Sequence, residues 1–151
     1  MKDQIAYLDS SAIVKRYVEE PGSSLVRGLY LRAYSGDLEL CHGVWNIGEV
    51  LGVLDRAKRE NRLDDESHSL ARRRFLNEAR ASARLGFAIF VPVSTTILVE
   101  AWELVEKHHM YQADALQVVT ARETQVHEFY TSDKALREIA EDEGLHSTYI
   151  E

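Results

Sequence analysis

Two rhythms of apolar residues alternate along the chain. Residues 4–8 (QIAYL) are short and β-prone, and Asp9-Ser10-Ser11 behind them carry helix-starting side chains, so a strand running into a helix is expected. That helix is expected over 11–20, with Pro21-Gly22 as its stop. Residues 23–34 read as a second helix, and Ser35-Gly36 turns the chain into a short strand at 37–41. Val44, Ile47, Leu51, Leu54 and Ala57 recur three or four residues apart, which predicts a helix over 44–61. Asp64 or Asp65 can cap the next helix, which runs to Leu85 and ends at Gly86. A buried-type strand follows at 87–93 (FAIFVPV), then helices at 94–108 and 112–124. A strand at 128–131 (EFYT), a helix over 132–143 stopped by Gly144, and a last strand at 147–150 complete the pattern. Strands alternating with helices imply an α/β sandwich around a mainly parallel sheet. Ligands bind such sheets beyond the carboxyl ends of the strands, so the residues just after each strand are the ones to weigh.

Composition narrows the class. The chain has 151 residues, 45% apolar and 28% charged, a globular balance suited to a single domain over 1–151. Its one cysteine, Cys41, allows no internal disulfide and fits a reducing compartment. The longest uncharged run, 85–99, is shorter than a membrane span and contains Pro92 and three hydroxyl residues. Lys2, Asp3 and Asp9 near the start exclude a secretory leader, so the expectation is a soluble, cytoplasmic chain with no membrane partner. The net charge is -7, yet residues 56–84 carry nine Lys/Arg against five acids and the remainder is strongly acidic. Such segregation serves either as an ordinary solvated helix face or as a strip that meets phosphates.

Several chemistries are excluded. The phosphate-binding loop G-x-x-x-x-G-K-[ST], the dinucleotide fingerprint G-x-G-x-x-G and the nucleophile elbow G-x-S-x-G do not occur. Cys41 alone cannot build a cysteine zinc site. His108 and His109 are adjacent and would not share a helix face. Gly48 and Gly52 are spaced as for close approach of a neighbouring element.

Four acids remain. Asp9 follows the first strand, Asp114 lies in the first turn of a helix, and Asp133 follows strand EFYT. Each has an ordinary alternative role, as a helix cap or as a complement to the helix dipole. Glu49 sits within an apolar helical stretch and is either its solvated position or a group facing the cleft. Four carboxylates converging at a sheet edge would raise one another's pKa values, a conflict that a bound Mg²⁺ or Mn²⁺ resolves. Ser10, Ser11 and Thr131 are short hydroxyl donors placed to orient the acids, or simply to cap and turn the chain.

The order and setting of these acids resemble the PIN-domain nucleases, in the segments YLDSSAIVKRYVEEPGS at 7–23, GEVLGVL at 48–54, ADALQVVTA at 113–121 and FYTSDKALREIA at 129–140. Within that family the chain is most similar to the VapC-type toxins of VapBC toxin–antitoxin pairs. The resemblance implies a three-layer sandwich with a five-stranded parallel sheet and helices on both faces. It implies that Asp9 and Asp114 are the firmest metal ligands and that Asp133 completes the site directly or through water. Glu49 would hold a second ion or position the attacking water, and Ser11 and Thr131 would support the acids. The implied activity is Mg²⁺- or Mn²⁺-dependent endoribonuclease hydrolysis leaving a 5′-phosphate. The implied partners are an RNA substrate, a small inhibitory antitoxin and a second copy of the chain. Residues 43–48 (GVWNIG) and the bulky His108-His109-Met110-Tyr111 depart from the family pattern. A PIN-like module that binds RNA or protein without turnover is the competing reading. A haloacid-dehalogenase-like phosphohydrolase would need a D-x-D pair where Asp9-Ser10-Ser11 stands.

Overall fold

Ala6, Tyr7 and Leu8 are all buried, as expected of a strand covered on both faces. They belong to β1 (Ile5–Leu8), the centre of a five-stranded sheet in the order β3-β2-β1-β4-β5. The computed structural model describes residues 4–151. Lys2 and Asp3, two of the charges that argue against a leader, lie outside the described residues. The other strands are β2 (Glu39–Gly43), β3 (Ala88–Val91), β4 (Glu128–Thr131) and β5 (Ser147–Tyr149), and every pairing is parallel. Tyr7 is level with Cys41 on one side and Phe129 on the other.

Parallel pairing requires crossovers, and helices supply them. The helices are α1 (Ser10–Val14), α2 (Ser23–Tyr34), α3 (Asn46–Arg59), α4 (Asp65–Leu85), α5 (Thr95–His108), α6 (Gln112–Glu123) and α7 (Lys134–Asp142). Alternation along β1 divides the core in two. Ala6 and Leu8 join Ile13, Val26, Leu29, Leu54 and Phe75 in the layer formed by α1–α4. Tyr7 turns the other way and stacks on Phe129, ring centroids 5.2 Å apart, beneath Ala101, Leu104, Val118 and Val119 of α5 and α6. The result is the expected three-layer sandwich.

Several boundaries shift, each for a local reason. The helix expected over 11–20 is only α1, because beyond Val14 the N–H groups of Arg16 and Tyr17 bond three residues back and tighten the chain into turns. The Lys15 ammonium folds over that turn onto Glu20 Oε1 at 3.0 Å and the Pro21 carbonyl at 2.7 Å. Strand β2 runs two residues later than expected, and β3 is trimmed at both ends as Pro92 breaks the ladder. Of the two candidate caps for α4, Asp64 serves: its Oδ1 accepts from Ser67 N at 2.7 Å. Gly86 ends α4 at φ +80, a conformation that favours glycine. The close-approach reading of Gly48 and Gly52 is overturned, since a Cβ at either would meet nothing within 4 Å. The crowded glycines are Gly22, where a Cβ would stand 2.2 Å from Ile150 Cγ2, and Gly43, where it would stand 2.3 Å from the Trp45 ring.

Candidate functional site

With β1 central, the chain travels out through β2 and β3, then returns to the other side of β1 for β4 and β5. Connections therefore diverge between β1 and β4, and the gap at their carboxyl ends is where α/β sheets bind ligands. Asp9 leaves β1 there, and Asp133 follows β4 there.

Asp9 is buried, 4% exposed, and held on three sides. Its Oδ1 accepts from Ser11 Oγ at 2.6 Å and from Ala12 N at 2.9 Å; its Oδ2 accepts from Thr131 Oγ1 at 2.5 Å. The capping role is thus real, and so is the position at the sheet edge. Ser11 Oγ also accepts from Ser132 N, and Thr131 Oγ1 accepts from Asp133 N. The two hydroxyls stitch the end of β1 to the end of β4. Asp133 caps α7, its Oδ1 accepting from Leu136 N at 3.1 Å, and it is exposed.

Glu49 takes the cleft-facing alternative. It is half-buried, and its Oε1 accepts from Asn46 Nδ2 at 2.9 Å and Gln117 Nε2 at 3.0 Å. Both amides are buried. Asn46 Oδ1 accepts from Gly43 N at 2.7 Å, and the Tyr7 hydroxyl donates to Gln117 Oε1 with Asn46 Oδ1 3.2 Å away. Residues from β1, α3 and α6 thus lock one oxygen of Glu49. Sequence reading missed Tyr7, Asn46 and Gln117. The available signal was a polar Asn and a polar Gln on helices whose neighbours are apolar.

Asp114, on the first turn of α6, differs from the others. It is half-buried, and no hydrogen bond reaches its carboxylate among the described residues. Electrostatics links the set. Burial is the main force pushing the Asp9 carboxyl up, with Asp114 adding to it against the hydrogen bonds of Ser11, Thr131 and Ala12. Burial also raises Glu49, assisted by the negative charges of Asp9 and Asp114. Asp114 is raised by burial and then by Asp133. Four acids separated by as much as 124 positions in sequence therefore share one electrostatic neighbourhood.

Among the described residues, no three of His, Cys, Asp and Glu form a ready-made ligand cage. The donor set is nonetheless all carboxylate oxygen, suited to a hard cation. Mg²⁺ keeps several waters and needs only one or two carboxylates from the protein. Exposed Asp133 and unpaired Asp114 have the rotamer freedom to adjust to it. Cys41 is buried, its thiol pushed up to about 12 by burial, and it offers no thiolate. His108 is paired with Glu143 at 2.8 Å, and His109 ends α5 at φ 54.

A cleft of ≈200 Å³ adjoins the acids, lined by His108, His109, Met110 and Tyr111 on one side, by Ala135, Leu136 and Ile139 on another, and by Asp114 and Asp133. On α4, Arg72, Arg73, Arg74, Arg80 and Arg84 are exposed, and none has a carboxylate partner among the described residues. Nearby acids are engaged elsewhere: Glu60 with Arg62, Asp65 with Lys58, and Glu78 with Arg16.

Comparison with known proteins bears on the family and the fold. The family described as PIN domain matches residues 6–142. No curated protein matches the chain significantly in sequence. Among solved structures, VapBC2 from Rickettsia felis bound to a promoter DNA fragment is similar at 14% identity and TM-score 0.61, covering 98% of this chain and 100% of that one. PAE2754 from Pyrobaculum aerophilum matches at 17% identity and TM-score 0.62, with 95% and 90% covered. VapC20 from Mycobacterium tuberculosis, described as a toxin cleaving the sarcin–ricin loop, matches at 16% identity and TM-score 0.60, with 93% and 95% covered. At these identities the likeness is one of fold.

Proposed function

The chain belongs to the PIN-domain family, and from that premise we infer that it is an endoribonuclease hydrolysing RNA phosphodiester bonds with a divalent metal ion, the toxin of a toxin–antitoxin pair. What supports this reading is that Asp9 and Asp133 leave the carboxyl ends of the neighbouring strands β1 and β4, that Asp9, Glu49 and Asp114 feel one another's charge, and that Asp114 feels Asp133.

Asp9 and Asp114 are the residues to hold Mg²⁺ or Mn²⁺, with Asp133 closing the site directly or through a water and Glu49 beside them. When bound, such an ion supplies charge neutralisation at the phosphate and lowers the pKa of attacking water. The side chains divide the remaining work. Asp9 is immobile: Ser11, Ala12 and Thr131 occupy three of its roughly four lone-pair directions and leave one free. Asp114 has both oxygens free of protein donors among the described residues, so it can reorient without breaking a hydrogen bond. Glu49 has its Oε1 fixed by two amides, which leaves Oε2 to orient the water and accept its proton. Water oxygen joins phosphorus, the bond to the 3′-oxygen breaks, and a 5′-phosphate and a 3′-hydroxyl result.

The restraining partner is a small antitoxin protein, and the active species is a homodimer. The likeness of fold to VapBC2 supports the antitoxin part of that assignment. No helix among the described residues is long and apolar enough to cross a membrane. Incubation of the purified chain with single-stranded RNA and Mg²⁺ or Mn²⁺ tests the activity. Cleavage should stop with chelator and with Asp9→Asn or Asp114→Asn. Cleavage that survives both substitutions in folded protein sinks the assignment.

A further inference from the structure

We propose that the cleft beside Asp114 is a nucleobase subsite, in which an unpaired base of an RNA strand stacks on Tyr111. The inference rests on the nuclease reading only for the identity of the strand as RNA; the subsite itself is argued from the cleft.

Tyr111 is 84% exposed, more than any other large hydrophobic side chain among the described residues. It occupies the N-cap position of α6, three residues before Asp114, and makes no capping hydrogen bond. Ser, Thr, Asp and Asn serve best there. The chain uses them at comparable starts, with Asp9, Asp64, Ser94 and Asp133 each accepting a backbone N–H. Gly22 and Trp45 start α2 and α3 without a side-chain bond as well, but Gly22 has no ring and Trp45 is only partly exposed; at the start of α6 the uncapped ring is exposed beside the acids, where departures from local preference signal function.

The ring has a cavity to face. The ≈200 Å³ cleft has Leu136 and Ile139 as an apolar wall and Asp114 and Asp133 at its polar end. Asp114 and Asp133, proposed above as metal ligands, leave that polar end to the phosphate. The uncharged part of a nucleotide that fits the aromatic and aliphatic remainder of the slot is its base. The slot is also held in shape. His108 Nε2 lies 2.8 Å from Glu143 Oε2, and the same carboxylate receives Lys107 at 2.7 Å and Arg122 at 2.9 Å. These contacts tie the ends of α5 and α6 to the end of α7 and hold His108, one of the residues lining the cleft, so less ordering is left for the ligand to impose. A base paired within a duplex cannot enter a side pocket, so the preferred substrate is a single strand, loop or bulge.

Binding of a short single-stranded RNA containing 2-aminopurine, measured in chelator so that no cleavage is needed, tests the subsite. Wild type and Tyr111→Phe should quench the probe and bind alike. Tyr111→Ala should lose the quenching and bind about tenfold more weakly, the effect of losing one stacked base. The same sequence sealed in a duplex should not distinguish Tyr111→Ala from wild type. Equal quenching and affinity for Tyr111→Ala and wild type on the single strand overturn the subsite, as does a wild type that binds no RNA or a loss equal on duplex and single strand. Unchanged RNA binding with weakened capture of a co-expressed protein partner would assign Tyr111 to that partner instead, and also overturns it. RNA that binds and quenches but is not cut with Mg²⁺ leaves the subsite standing and removes the nuclease reading. Normal cutting by Tyr111→Ala with unchanged affinity does the reverse. Because Tyr111 is exposed and bears no capping bond, Tyr111→Ala should melt with wild type.

Discussion

At the scale of single residues, the acids are held against their own repulsion. A carboxyl whose pKa in the fold exceeds its unfolded value costs nothing while both states are protonated. The full cost arrives once the pH passes the folded value. Asp9, Glu49 and Asp114 are all raised, so near neutral pH each weakens the metal-free fold. Asp114 isolates the effect, because no hydrogen bond to its carboxylate is lost on replacement. In chelator near neutral pH, Asp114→Asn should melt about 1–4 °C above wild type, and the gap should close as the pH falls through the carboxylate range. Mg²⁺ should then raise the wild-type melting temperature more than that of Asp114→Asn. A second prediction concerns Asn46 and Gln117, which touch Glu49 rather than substrate. Asn46→Ala or Gln117→Leu should lower kcat about 10- to 100-fold with little change in KM, as loss of an orienting hydrogen bond does at metal sites. A parallel rise in KM would assign them to binding instead.

Elements are joined by a few polar clamps. Glu78 of α4 accepts from Arg16 Nε at 2.9 Å, Arg16 Nη2 at 3.0 Å and the hydroxyls of Tyr17 and Tyr34, so it ties α4 to the turn after α1 and to α2. Burial pushes its carboxyl up, but these donors outweigh burial and hold it below the usual range. The stability it contributes is therefore present near neutral pH and lost as the pH falls through its folded value. Both partners are largely buried, so Glu78→Ala strands a cation and should cost about 3 kcal/mol, or about 6–12 °C in Tm near neutral pH. Gly43, at the end of β2, is a steric joint rather than a polar one. Gly43→Ala would press its Cβ on the Trp45 ring and strain the turn whose N–H supports Asn46. Thermal melting and cleavage measured together should both fall for this variant.

Over the whole molecule, charge is divided. The segment 56–84 is positive while the rest of the chain outweighs it, and α4 presents exposed arginines while Glu60, Asp65 and Glu78 nearby are engaged with other cations. If those arginines meet RNA phosphates, reversing Arg72, Arg73 and Arg74 to Glu should weaken RNA binding and flatten its dependence on salt. An unchanged slope of affinity against salt would return the strip to the role of a solvated face.

The sequence by itself determined the elements and their order, because hydrophobic period, caps and stops act within a few residues. Asp9 and Asp64 each start a helix where a capping side chain was legible, and Gly86 ends one. The same locality misjudged residues 15–20, where contacts from Lys15 and the turn before Pro21 override a helical pattern. It also misjudged Gly48 and Gly52, since spacing says nothing about whether a neighbour is present. The four acids were visible as candidates, yet each had a sufficient local explanation. Only tertiary structure decided that Glu49 turns inward, that Tyr7, Asn46 and Gln117 hold it, and that a bare Tyr111 lines a cleft with Asp114 and Asp133. Those relations join β1, α3, α6 and α7, and a contact between distant segments is set by how the sheet orders its strands, which no local pattern encodes.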